Sequence, residues 1–151
     1  MNDAHEYVLS RAPFVVRRKA RWSDCDPAGI VYTGRYTEYL LDSARLYADH
    51  VAGGSMMALM HQHGATTPAR GMSLEFRRPM APGDVADIRY WVGEVREHSF
   101  EFLCEASAPN GDLVFAGVCA IVCINRESKR KVAIPEELRG LLMRHTKQGD
   151  K

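Results

Sequence analysis

At 151 residues the chain has the length of one domain able to bury a sizeable core, and its 46% hydrophobic and 26% charged residues are ordinary for a globular protein. A net charge of +1 supplies no global field for nucleic acid or an anionic membrane. No run approaches the roughly 18 apolar residues that span a bilayer, and the opening MNDAHEYVLSRAPF, with acids and no apolar core, is not expected to be a secretory signal.

Residues 1–12 are expected as a loose arm. FVVRRKARW, Phe14 to Trp22, starts apolar and turns basic, as a first strand would. The stretch that follows, Arg21 to Arg45, holds two acids in a tight turn: Asp24 and Asp26 flank Cys25, with Pro27 and Gly29 next. Pro27 keeps Asp26 out of the helical region, and Gly29 permits a backbone that other residues resist. From Tyr36 the apolar positions 36, 39, 40, 44 and 47 recur at helical spacing, and Gly53-Gly54 closes a helix running from about Arg35 to Val51.

A short helical turn and loop should occupy SMMALMHQHGATTP, its methionines serving as core filler rather than as a ligand surface. Strands are then predicted at Ala69–Phe76, Val85–Val95, Ser99–Ala108 and Leu113–Asn125. Pro79, Pro82, Gly83-Asp84 and Asn110-Gly111-Asp112 mark turns between them. The last of these strands is apolar nearly throughout, as one covered on both faces would be. Pro135 to His145 reads as a short amphipathic helix, and residues 146–151 as a frayed tail.

The expected architecture is therefore α+β, one domain over residues 1–151, with one long helix buried against an antiparallel sheet of about five strands. The open face and edges of such a sheet favour a homodimer or homotetramer. The four cysteines at 25, 104, 119 and 123 show no disulfide framework, and neither they nor His61 and His63 complete a metal-ligand spacing. A reducing cytoplasm, with no cofactor and no metal, is the expectation.

An acid held by a stiff turn just ahead of a helix N-terminus can serve an active site, because free amides and the positive dipole end suit an oxyanion. Asp before Pro, near Gly, is also plain turn chemistry, and spacing alone does not choose between the two.

The run Asp24-Cys25-Asp26-Pro27-Ala28-Gly29-Ile30-Val31-Tyr32, followed by Tyr36 and Arg45, resembles the signature of hotdog-fold acyl-CoA thioesterases of the 4-hydroxybenzoyl-CoA type. The resemblance spans about Phe14 to Pro135 and is specific over residues 23–36. It implies a helix wrapped by an antiparallel sheet, and hydrolysis of an acyl-CoA, leaning aromatic, to free acid and CoA. Asp26 would be nucleophile or general base, and Asp24 structural. Backbone amides near Thr33 would hold the thioester oxygen, with Gly29 leaving room for the acyl group and Tyr32 beside it. Thr67 and Ser73 would line the acyl pocket from the partner subunit, and Arg96 and His98 would meet CoA. The pattern departs at Thr33, where relatives carry Tyr or His. The basic turn 126–131 is a further surface for CoA phosphates, or simply a solvated face.

Two other readings use the same fold. One is a non-hydrolytic acyl-CoA or acyl-carrier-protein binding protein. The other, a dehydratase, needs a His paired with an acid, and no His lies between Asp24 and Gly34.

Overall fold

The computed structural model describes residues 4–147. Six strands form one sheet: β1 (Glu6–Arg11), β2 (Phe14–Lys19), β4 (Ala69–Phe76), β5 (Val85–Val95), β6 (Ser99–Ser107) and β7 (Leu113–Val122), in the spatial order β1-β2-β5-β6-β7-β4. All neighbours are antiparallel. The short strands β3 (Ala65–Thr66) and β8 (Ile124–Asn125) pair separately. Three helices complete the fold: α1 (Arg35–Ala52), α2 (Met56–Gln62) and α3 (Glu136–Met143).

The helical spacing of α1 sets which side it buries. Tyr36, Tyr39, Leu40, Ser43, Ala44, Tyr47 and Val51 all turn inward. They meet the inner row of the sheet, including Ile88, Tyr90, Phe102, Phe115 and Cys119, in one continuous core. The helix packs tightly at Gly117 on β7, where an added Cβ would lie 3.1–3.2 Å from Cys104, Leu40 and Leu74. At the far end of α1, Gly53 adopts φ 75°, and the amides of Gly53 and Gly54 close on the carbonyls of His50 and Asp49. Its missing Cβ makes that left-handed stop possible.

Three expectations are corrected. Residues 6–11 are not a loose arm but an edge strand, because Val8 packs on the core and Glu6 meets Arg18, which is only 2% exposed, at 2.7 Å. The tail does not fray from 146, since Thr146 bridges Val92 and the Val92 amide donates to the His145 carbonyl. The rest of both expectations, residues 1–3 and 148–151, lies outside the described residues. Finally, the strand expected over 113–125 ends at Val122, and its burial alternates. The inner face holds Phe115, Cys119 and Ile121, while Ala116, Val118 and Ala120 stay half-exposed on the other.

The sheet has two unlike edges. β1 is short and carries a register irregularity between Val8 and Ser10. At the opposite edge β4 is exposed along nearly its whole length, with Met72 and Phe76 uncovered.

Candidate active site

Chain reversal between β2 and α1 begins with a 3-10 turn at Trp22–Asp24 and continues as a narrow loop. Its two limbs are tied in sequence. The Tyr32 amide donates to the Asp24 carbonyl at 2.9 Å, Cys25 bridges Val31, and the Asp26 amide donates to the Ile30 carbonyl at 3.0 Å. Pro27 and Ala28 form the tip, and Gly29 takes φ +80°, the left-handed position that tightens the turn. The loop is anchored to the body by the Val31 amide on the Met80 carbonyl.

The two acids in this loop have different surroundings. Asp24 is 1% exposed. Its Oδ2 accepts from the Arg21 amide at 3.0 Å and from the Tyr39 hydroxyl at 2.8 Å, while Oδ1 has no hydrogen-bond partner and Arg21 stands 3.6 Å away. Burial opposes its ionisation, but the Arg21 amide and Tyr39 hydroxyl outweigh burial, so the carboxyl sits below its usual range. The Tyr39 hydroxyl is pushed up by burial and by the Asp24 carboxylate, and it remains a donor. Arg18 completes this buried chain, its guanidinium 4.4 Å above the Tyr39 ring and bonded to Glu6 and Asp42.

Asp26 is half-exposed at the loop tip. Its Oδ1 accepts from the Ala28 amide at 2.8 Å, and its other oxygen meets no protein donor among the described residues. The second limb runs directly into α1, whose N-terminus has no side-chain cap. The amides of Arg35 and Tyr36 turn back to the carbonyls of Tyr32 and Thr33. Those of Thr33 and Gly34 donate to no protein acceptor among the described residues. Both residues are exposed, and the exposed Tyr32 ring lies over Gly34, 2.7 Å from where a Cβ would stand. One braced loop thus joins Asp26, Gly29, Tyr32 and Thr33.

The remaining site candidates are elsewhere in the chain. Lys19 pairs with Val85, and the Ala20 amide donates to Asp84, so the acid loop sits where β5 starts. Arg96 and His98 follow the end of β5, 11 residues on, a separation of more than about 30 Å along an extended strand. Arg96 is paired to Glu94 at 2.7 Å and its carbonyl accepts from Arg139. His98 keeps Nδ1 buried without a partner. Thr67 lies at that same far end, while Ser73 is exposed midway along β4. Within one chain none of these four reaches Asp26.

A groove of about 560 Å³ lies between α1, α2 and the inner face of the sheet at the Thr67 end. Met56, Met60, Phe100, Phe102 and Ile121 form its apolar wall. The methionines therefore do two things: Met56 and Met60 belong to the core, and they also face this groove. Sequence reasoning missed the groove because its lining comes from five segments of the chain. The run of methionines at 56, 57 and 60 was the available signal. No group of three or more His, Cys, Asp or Glu side chains among the described residues could hold a metal ion.

The family pattern of the thioesterase-like superfamily matches residues 20–142, which include the acid loop and the wrapped helix. The chain belongs to the thioesterase-like superfamily. Its sheet wrapped on α1 is the hotdog fold of that superfamily, built with six strands rather than about five. A 1,4-dihydroxy-2-naphthoyl-CoA thioesterase from Synechocystis superposes with a TM-score of 0.76 at 19% identity, over 86% of this chain and 95% of that one. A thioesterase-superfamily protein from Jannaschia gives 0.79 at 24% identity, over 91% and 95%. A hypothetical protein from Staphylococcus aureus, solved in complex with CoA, gives 0.80 at 12% identity, over 97% and 89%. No curated protein sequence matches. At these identities the likeness concerns fold. No helix among the described residues is long and apolar enough to cross a membrane.

Proposed function

We propose that this chain is an acyl-CoA thioesterase of the 4-hydroxybenzoyl-CoA type, leaning to aromatic acyl groups and working in a reducing cytoplasm. The observation that carries the reading is the acid loop: a carboxylate with one free oxygen on one limb, and an uncapped helix tip with two free amides on the other. Asp26 attacks the thioester carbonyl carbon, or takes a proton from the water that does. The amides of Thr33 and Gly34 stabilise the negative oxygen that develops. Collapse then breaks the carbon–sulfur bond, and CoA leaves as a thiolate, a good leaving group that removes the need for a triad. Where Asp26 itself attacked, water then hydrolyses the acyl-aspartyl anhydride to the free acid and restores the carboxylate. Backbone donors suffice here, so Thr33 can stand where relatives carry Tyr or His.

A homodimer or dimer of dimers is part of this proposal. β4 runs from the Thr67 end of the sheet to Phe76, whose ring packs 5.1 Å from Tyr36 at the start of α1. Antiparallel pairing of two β4 edges would set the partner's Thr67 and groove beside this chain's acid loop, and Ser73 at the seam. Arg96, His98 and the basic turn 126–131 would then lie at the mouth of the composite site. His61, Arg126 and Lys129 line a hollow that shares Thr66 with the groove, a suitable seat for CoA phosphates.

Substrate specificity draws support from the naphthoyl-CoA chemistry of the Synechocystis relative and from Tyr32 and Trp22, both exposed beside the loop. The competing reading, an acyl-CoA or acyl-carrier-protein binder without turnover, is favoured by one detail: Asp26 is already engaged by the Ala28 amide. A panel of aryl- and alkyl-CoAs with a thiol-reactive dye separates them. Steady thiol release, reduced by about 10²–10⁴ in Asp26→Asn, supports the enzyme. Saturable binding with no thiol released supports the binder.

A further inference from the structure

The groove beside α2 is apolar except at one side. Of its charged lining groups, Asp49 is committed, its Oδ1 accepting the Met56 amide at 3.0 Å to start α2. Ser55 is likewise used, capping the Ala58 amide. Arg45, one helical turn before Asp49 on the same face of α1, lines the groove with no ion-pair or hydrogen-bond partner among the described residues. Arg45 is exposed, and other arginines such as Arg70, Arg89 and Arg144 also lack a carboxylate among the described residues, but of the chain's arginines Arg45 is the one that lines this groove.

An apolar acyl group that fills this groove would strip water from the Arg45 guanidinium and return nothing, which is unfavourable for a charge. A ligand ending in a carboxylate restores the lost hydration with two parallel, charge-assisted hydrogen bonds, a geometry the planar fork matches. The methionine and phenylalanine walls suit the body of an acyl group and not a nucleotide, so the matching anion belongs to the acyl end of the substrate rather than to CoA.

We propose that Arg45 is a specificity-determining residue that selects acyl-CoAs whose acyl group, aliphatic or aromatic, ends in a carboxylate. This rests on the thioesterase reading for its substrate class, and its test separates the two. Matched pairs differing in the terminal group are compared: glutaryl-CoA with pentanoyl-CoA, and 4-carboxybenzoyl-CoA with 4-methylbenzoyl-CoA. Turnover is measured for the wild type, Arg45→Met and Arg45→Lys, and binding is measured in an Asp26→Asn background. The wild type should favour the charged member of each pair by about 10-fold or more in kcat/KM, as expected for one good charge-assisted contact. Arg45→Met should bring that ratio toward one, with Arg45→Lys between. The inference is overturned by equal use of both members by the wild type, or by an unchanged ratio in Arg45→Met. It is equally overturned if Arg45→Met weakens inhibition by free CoA as much as it weakens the charged substrates, because the contact would then be to phosphate. Charge-selective binding without turnover would sink the hydrolase reading and leave the role of Arg45 standing.

Discussion

Two aspartates separated by one residue divide the work of the acid loop. Asp24 is buried and held ionised by the Arg21 amide and the Tyr39 hydroxyl, and Asp26 is half-exposed with an oxygen to spare. Because the folded-state carboxyl of Asp24 lies below its unfolded value, its contribution to stability is present above the unfolded range, about pH 4, and is lost as pH falls through the lower folded value. Asp24→Asn should therefore flatten the acid limb of a stability–pH profile below that point, measured by urea unfolding at several pH values. Tyr39→Phe should cost about 1–3 kcal/mol at neutral pH, the penalty for removing a donor from a buried carboxylate. Thiol chemistry offers a third check at this scale. Burial pushes the Cys104 thiol up to about 12, and the Cys119 and Cys123 thiols up as well. Native protein at pH 8 should label at Cys25 alone, and slowly, since burial and the charges of Asp24 and Asp26 raise that thiol too. Unfolded protein should label at all four.

Among the elements, α1 and the strand pairs follow from local pattern, and the edges do not. VADIRYWVGEV marks β5 to its ends because Ala86, Ile88, Tyr90 and Val92 form one buried row, and the alternation in ARGMSLEF marks β4 although nearly all of that strand is exposed. EYVLSR escaped because its support is remote: Glu6 finds Arg18 across the hairpin, and only then is an arginine at position 18 tolerable in the core. The same holds for the acid loop. Its turn chemistry is legible in Pro27 and Gly29, whereas the Arg18–Tyr39–Asp24 chain depends on β2 and α1 already being packed. Where α1 meets the sheet, Gly117 leaves room for Leu40, Leu74 and Cys104. Gly117→Val should destabilise by about 1–3 kcal/mol through overpacking, seen as a lower urea midpoint with an unchanged m-value.

For the whole molecule the exposed β4 edge is the feature that asks for a partner. Charges placed there, as in Met72→Asp with Phe76→Asp, should yield a folded monomer by analytical ultracentrifugation, with thioester turnover lost if the site is shared between chains. A monomer retaining full turnover would refute the composite site. The half-exposed apolar face of β7, with Ala116, Val118 and Ala120, is a second surface on which such dimers can stack.

The acid loop and the Thr67 groove sit at opposite ends of one sheet, and that separation has a genetic consequence. If the proposed composite site is right, Asp26→Asn and Thr67→Arg would each be inactive, with their lesions in different halves of the shared machinery. Refolded together they should restore one intact site in each mixed pair, about a quarter of wild-type turnover from equal amounts under random pairing. Neither does so alone. Two broken copies, in other words, would mend each other.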